Sequence, residues 1–210
     1  MEHLLPLTVR VLVFAAAFST ITVFALLLFY PCGLEYYVAP FHSEPVDFYA
    51  AGGREVSLDE LIKFVGEAGE TIYLPSKLPR GLKLTAVYFK DGPFIAIVVY
   101  SAEGNKDYKT AELTIEISPS SLPPSSLEEL KSISTHDYVL EVNCWPVGIK
   151  KDAHVFEEEF IKKYKTNRAL WAEVWIKGSS YTFNYSILSP TLTVEELIQL
   201  IHDMKPATQP

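Results

Sequence analysis

The feature that most constrains this chain is an uncharged apolar run near its N-terminus. Residues 11–34 contain no charged side chain, and most of them are Val, Leu, Ile, Phe or Ala. A helix of this length spans about 36 Å, enough to cross a hydrocarbon core of about 30 Å with some tilt. Because a helix that is apolar all round needs apolar surroundings, we expect a transmembrane anchor at 11–34, preceded by residues 1–10.

Two alternatives to an uncleaved signal-anchor are weighed against the same run. A cleaved signal peptide has an apolar region of about 7–15 residues followed by small residues, and here the small residues, Ala15 to Ala17, come too early. A lipid on Cys32 after cleavage requires small residues before the cysteine, where the chain has Phe29-Tyr30-Pro31. The sequence therefore favours a single-pass membrane protein with an uncleaved helix.

The charges on either side of the run predict its orientation. Arg10 stands directly before it, whereas Glu35, Glu44 and Asp47 follow it. The positive-inside rule then places the N-terminus in the cytoplasm and the C-terminal part outside the cell membrane. The chain has a net charge of −8, which argues against nucleic acid as a partner and against docking onto anionic headgroups.

Two cysteines, Cys32 and Cys144, are both predicted to lie outside the cell. A disulfide between them is one interpretation, but cysteine spacing alone does not show that two positions are close enough to bridge. A pair of unpaired, unreactive thiols is the interpretation that the sequence favours.

After the anchor, prolines and Gly52-Gly53 indicate a neck at 35–56, followed by a domain at 57–204 and a tail at 205–210. Capping boxes predict three helices, which begin after Ser57, Ser126 and Thr193. Alternating or continuous apolar residues predict strands near 82–88, 94–100, 111–117, 138–144, 170–176 and 181–187, with Asp91-Gly92 as a hairpin turn.

The resulting fold class is α+β, with a curved antiparallel sheet of about five or six strands packed with two or three helices. Residues 148–168 are charged and poorly periodic, so we expect an exposed insertion there.

The motifs resemble an extracytoplasmic domain family of unknown function, found behind single membrane anchors and in some anti-sigma factors. The residues that carry the resemblance are Leu74-Pro75-x-x-Leu78-Pro79-x-Gly81, the strands ending at Tyr100, and the closing Trp175–Phe183 hairpin with its following helix. The resemblance implies a fold like the curved sheets of lipoprotein carriers and envelope-stress regulators. The 148–168 stretch departs from the pattern, and an anti-sigma role is not expected.

The sequence offers no convincing catalytic, cofactor or metal site. His154 and Glu157 to Glu159 have neither zinc-helix nor calcium-loop spacing, so we interpret them as a solvated surface. His136, Asp137, Glu141 and Cys144 alternate between the two faces of a predicted strand and therefore do not converge.

Aromatic residues give a candidate binding surface on the last predicted hairpin. Trp171 and Trp175 share one strand face with Glu173, and Tyr181, Phe183 and Tyr185 share one face of the partner strand. An exposed aromatic patch would fit a peptide or a lipid. Aromatic stripes in sheets are usually core, so an interpretation in which both faces are covered stands beside it.

We therefore expect a membrane-anchored protein with an extracytoplasmic sensing or protein-interaction domain, without a cofactor and without enzyme activity. Its expected partners are the membrane, through 11–34, and another membrane or surface protein, or a lipid or peptide. A lipid- or lipopeptide-binding carrier is the first alternative and would need a continuous apolar cavity under the sheet. A membrane-anchored hydrolase is the second and would need a nucleophile beside a base.

Overall fold

A computed structural model describes residues 53–120, 123–133 and 135–208. The predicted anchor at 11–34, Cys32 and most of the neck lie outside the described residues. Within the described part of the chain, no helix combines the length and apolar character needed to cross a membrane.

The main sheet has eight antiparallel strands in the order β1-β3-β4-β5-β9-β8-β7-β6, and β2 pairs with β10 in a separate two-stranded sheet. The α+β class with an open antiparallel sheet is thus confirmed, but the main sheet is larger than the five or six strands expected. The strands are β1 Arg54–Val56, β2 Tyr73–Pro75, β3 Lys83–Lys90, β4 Ile95–Ser101, β5 Leu113–Pro119, β6 Tyr138–Val142, β7 Trp145–His154, β8 Arg168–Lys177, β9 Thr182–Ser189 and β10 Met204–Pro206.

The helices of the described residues are α1 Leu58–Glu67, α2 Leu127–Ile133, α3 Glu158–Tyr164 and α4 Val194–His202. The capping boxes predicted at Ser57 and Thr193 are both formed, with Glu60 and Glu196 as their reciprocal partners. At α2 only half of the predicted box is present. Ser126 accepts from the Glu129 backbone N–H at 3.1 Å, whereas the Glu129 carboxylate turns back to the backbone N–H and hydroxyl of Ser125.

One face of the main sheet, here the inner face, packs against α1 and α4. Alternate residues of the strands point inward and meet the apolar stripes of the two helices, as the period of two in a strand and of 3.6 in a helix requires. The interior is filled by buried side chains, among them Leu61, Val98, Ile115, Ile187, Leu197 and Ile201.

Parts of the opposite, outer face are covered by other elements, and two of these parts contain small apolar clusters. Near β3 and β4, Tyr108 of the following loop packs on a small cluster that includes Tyr88 and Ile97, and the Tyr88 hydroxyl donates to the Lys106 carbonyl at 3.0 Å. Further along the sheet, Phe160 of α3 is buried in a second small cluster with Val155 and Ala169.

Residues 148–168 are therefore not an exposed insertion. They form most of β7, which pairs with β6 and β8, and then α3, which packs against the outer face. The second half of β7 carries Lys150, Lys151 and Asp152, which are half-buried or exposed. Because these residues are charged, the sequence shows no apolar alternation there that would predict a strand.

Two contacts hold distant parts of the fold together. The buried carboxylate of Glu70, which follows α1, accepts the backbone N–H groups of Ser179 and Ser180 at 2.8 and 2.5 Å and so anchors the β8–β9 turn. Arg80 donates two hydrogen bonds to Glu196 at the start of α4.

Cys144 lies in the two-residue turn between β6 and β7. Asn143 and Cys144 have φ of 54° and 64°, a left-handed pair that usually selects Asn-Gly. Cys144 is disulfide-bonded, which corrects the expectation of an unpaired thiol at this position.

Candidate functional site

The structure divides the five aromatic residues of the candidate surface between different environments. Trp171 and Trp175 lie on the outer face of β8, where Trp171 is half-buried and Trp175 is buried with 6% of its surface exposed. Phe183 and Tyr185 lie on the inner face of β9, 4% and 0% exposed, and belong to the core. Tyr181 stands before β9 and is 56% exposed. The expectation of one exposed aromatic surface is therefore wrong for Phe183 and Tyr185, which lie on the inner face, and for Trp175, which is buried on the outer face.

The strand register gives the physical reason for this division. Trp175 pairs with Asn184 and Trp171 pairs with Leu188, so the residues that share the outer face with the tryptophans have even numbers on β9. Side chains of adjacent residues point to opposite faces, which sends Phe183 and Tyr185 inward. Tyr185 is held there by a hydrogen bond that its hydroxyl accepts from the Tyr73 backbone N–H at 2.9 Å.

Between the two covered parts of the outer face lies a group of polar side chains, here called the polar strip. None of its members is buried, in contrast to Ile97 and Val99 on β4 beside it, which are 4% and 0% exposed. The polar strip consists of Glu116 and Ser118 on β5, Asn184 and Ser186 on β9, and Glu173 on β8.

Glu116, Ser186 and Glu173 form one row across three neighbouring strands. Ser186 is paired with Glu116 on one side and with Glu173 on the other. Because neighbouring strands lie about 4.8 Å apart, the two glutamate backbones are about 10 Å apart, with the serine midway. The row therefore offers two carboxylates and a hydroxyl, which are mainly hydrogen-bond acceptors, to whatever approaches the sheet.

Glu173 is held by neighbours on both sides of its carboxylate. Asn184 donates a side-chain hydrogen bond to Glu173 Oε1 at 3.2 Å, and His136 Nε2 lies 3.2 Å from Glu173 Oε2. The His136 contact has the distance of an ion pair but not the geometry of a hydrogen bond, and neither ring nitrogen has a hydrogen-bond partner. The side chain of His136 is 5% exposed, against 23% for Glu173.

The position of His136 depends on two neighbours. Its ring stacks on Trp171 with the ring centroids 5.2 Å apart and an interplanar angle of 24°. A β-carbon on Gly148 would lie 2.6 Å from the imidazole, so the ring contacts a position that only glycine leaves open. Trp171 Nε1 in turn donates to the Ser186 hydroxyl at 2.8 Å, which links the stacked pair to the centre of the polar strip.

The carboxylate of Glu116, unlike that of Glu173, is not held by neighbouring side chains. It makes no hydrogen bond or ion pair with any described residue, and Lys90, a lysine on the same sheet face, is buried without forming an ion pair to it. Glu116 keeps an exposed surface, but the strands and side chains around it displace part of its hydration. This desolvation raises the pKa of its carboxyl.

The metal sites considered in the sequence are not formed. Among residues 53–120, 123–133 and 135–208, no three His, Cys, Asp or Glu side chains converge as a metal site requires. His136 instead belongs to the polar strip's border, and the His154 ring stacks on Phe156, which is 84% exposed.

The sequence places Glu173 beside the two tryptophans, but no local pattern connects it with Glu116. The connection depends on the pairing of β5 with β9, which are far apart in the chain. His136 was considered only as a metal ligand, because the conformation that places it over β8 leaves no periodic signal.

Comparisons with protein-family models, with curated proteins and with solved structures find no match to this chain. The resemblance to the extracytoplasmic family thus stays a prediction.

Proposed function

We propose that this protein is a single-pass membrane protein whose domain at 57–204 lies outside the cell and acts as a sensing or protein-interaction module. The apolar run at 11–34 and the charges around it support the membrane attachment and the orientation. The polar strip is the recognition site of this module, and binding there needs no cofactor.

The observation that supports this function best is the openness of the polar strip between two covered parts of the same sheet face. The strip holds an unpaired carboxylate, Glu116, whose pKa is raised by desolvation. At its border lies a buried imidazole, His136, whose Nε2 contacts Glu173 and whose Nδ1 has no hydrogen-bond partner. Desolvation of the Glu116 carboxyl and burial of an imidazole nitrogen without a partner both cost stability. Such locally unfavourable arrangements are typical of functional sites.

The two alternative functions have less support. A lipid carrier needs a continuous apolar cavity under the sheet, whereas the space between the inner face and the helices is filled by buried side chains. A hydrolase needs a nucleophile hydrogen-bonded to a base, and His136, the histidine of the site, accepts no hydrogen bond from a hydroxyl or thiol of any described residue.

A crosslinking experiment tests the recognition site. A photoreactive amino acid replaces Ser118, in the polar strip, in the full chain expressed in its native membrane. The matched control carries the same group at Lys63, an exposed position on α1. We expect a discrete adduct from position 118 that excess unlabelled wild-type domain suppresses. Equal adducts from both positions, or none from position 118, would contradict the recognition site.

The orientation is tested separately with a protease added to intact cells. A C-terminal tag is expected to be removed without lysis, whereas an N-terminal tag is expected to survive. Protection of the C-terminal tag until lysis would refute the external location.

A further inference from the structure

We propose that the polar strip binds a primary ammonium group, supplied either by a lysine side chain of a partner protein or by a free polyamine. This inference rests on the proposed function, because it names the chemical class that the recognition site takes. It is carried by the row Glu116–Ser186–Glu173 and by the position of His136.

The row matches the hydrogen-bonding pattern of an ammonium group. An ammonium is compact and has three N–H donors but no acceptor. With Ser186 midway between two glutamates, and about 10 Å between the glutamate backbones, both carboxylates can lean toward one position above the serine. A bound ammonium would then donate to Glu116, to the Ser186 hydroxyl and to Glu173.

The state of the acceptors agrees with this assignment. Glu116 has no partner in the described part of the chain, and Ser186, which receives the Trp171 indole N–H, keeps a second lone pair. Glu173 accepts one long hydrogen bond from Asn184 at Oε1 and has His136 Nε2 3.2 Å from Oε2, and each carboxylate oxygen has a second lone pair for another donor. A cation would satisfy these groups, whereas an anion would be repelled by two carboxylates.

His136 gives an independent indication that the strip is completed by a ligand. Its side chain is 5% exposed and faces Glu173, yet neither nitrogen makes a hydrogen bond. Nε2 has the Glu173 carboxylate beside it, whereas Nδ1 is buried without any partner, which is costly. The stack on Trp171 and the contact with Gly148 hold the ring against Glu173, so the imidazole positions that carboxylate on the strip.

The experiment is a titration of the full chain in neutral detergent micelles, followed by nuclear magnetic resonance. The signal is the Trp171 indole N–H, which donates to Ser186 in the strip. The probes are spermidine and an acetylated, amidated Gly-Lys-Gly peptide, which distinguish a free polyamine from a lysine side chain. The matched controls are the same peptide with an Nε-acetylated lysine, and tetramethylammonium, which has no N–H donor.

We expect a saturable shift with at least one ammonium probe and none with the two controls. Glu116→Gln and Glu173→Gln are each expected to weaken binding about tenfold or more, since each removes a charge-assisted hydrogen bond. Glu67→Gln, which removes the same charge on exposed α1, is expected to leave binding within about twofold. Circular dichroism checks that each variant is folded. If Glu116→Gln does not fold, Glu116→Asp replaces it in the titration.

If Glu67→Gln weakens binding as much as Glu116→Gln and Glu173→Gln do, the effect comes from net charge alone and the proposal is overturned. Binding of the acetylated peptide as tightly as the unmodified one would also overturn it. If the ammonium probes fail while the adduct at position 118 still forms, the ligand class is wrong and the recognition site stands. If both experiments fail, the proposed function falls with the inference.

Discussion

At the scale of single residues, Gly148 leaves room for the ring of His136, because it has no side chain. The β-carbon of an alanine at this position would lie 2.6 Å from the His136 ring. We expect Gly148→Ala to destabilise the protein by about 1–3 kcal/mol, because overpacking forces the ring or the strand to move. Urea denaturation measures this change in the free energy of unfolding.

The matched control is Gly66→Ala in α1, where a β-carbon would meet no atom within 4 Å. This change is expected to stabilise the protein by about 0.5–1 kcal/mol, because alanine is the better helix former. If the clash with His136 is the cause, Gly148→Ala costs less in a His136→Ala background. An equal cost in both backgrounds would show that the strain lies elsewhere.

The raised pKa of Glu116 predicts how the stability of the protein changes with pH. Desolvation raises the pKa of its carboxyl in the folded protein, so the folded state holds the proton more tightly than the unfolded state. Between the ordinary carboxyl pKa and the raised one, stability therefore falls as pH rises. Glu116→Gln is expected to be more stable than wild type at neutral pH, with a difference that shrinks on acidification below that window.

Glu60 provides the opposite control. Its pKa is lowered by the hydrogen bonds to Ser57, so its contribution is present above the ordinary carboxyl pKa and is lost as pH falls. Urea denaturation of Glu116→Gln and Glu60→Gln at several pH values should give differences of opposite sign. The same sign for both variants would contradict the assignment for Glu116.

At the scale of secondary structure elements, the β8–β9 turn is fixed by a carboxylate from outside the hairpin. Glu70 accepts the backbone N–H groups of Ser179 and Ser180 and is buried. We expect Glu70→Ala to destabilise the protein by about 2–3 kcal/mol, since it removes two hydrogen bonds to a charged group. Urea denaturation of Glu67→Ala, an exposed neighbour, is expected to change the free energy of unfolding by less than about 0.5 kcal/mol.

The elements also show where sequence patterns succeed. Two capping boxes, at Ser57 and Thr193, lie where the local spacing predicts them, because a cap is made by residues three positions apart. The sequence pattern does not predict strand β7, because the second half of this strand is charged and largely exposed to solvent. Strands β1, β2 and β10 have three residues each and carry too little periodicity to be recognised.

At the scale of the whole molecule, the α+β class followed from alternating runs, but the size of the main sheet and the composition of the site did not. The polar strip depends on the pairing of β5 with β9 and of β9 with β8. Register between strands distant in the chain is set by the packing of the complete sheet, and no local pattern contains it.

The disulfide state of Cys144 is a further prediction for the whole chain. Because Cys144 is disulfide-bonded, we expect iodoacetamide to leave it unmodified under denaturing conditions until a reductant is added. Mass spectrometry of the digested protein measures the modification, and the mass of the linked peptide identifies the other half of the bond. Alkylation of Cys144 before reduction would contradict the bond.

The stack of Trp171 on His136 also gives the protein an intrinsic optical reporter. Indole emission depends on the charge of a stacked imidazole and on the hydrogen bond of the indole N–H, and Trp171 has both contacts at the border of the polar strip. In a variant that keeps Trp171 as its one tryptophan, emission intensity should follow occupancy of the strip in real time. In lipid vesicles that contain this variant as their one protein, occupancy of the site can then be observed without an attached dye.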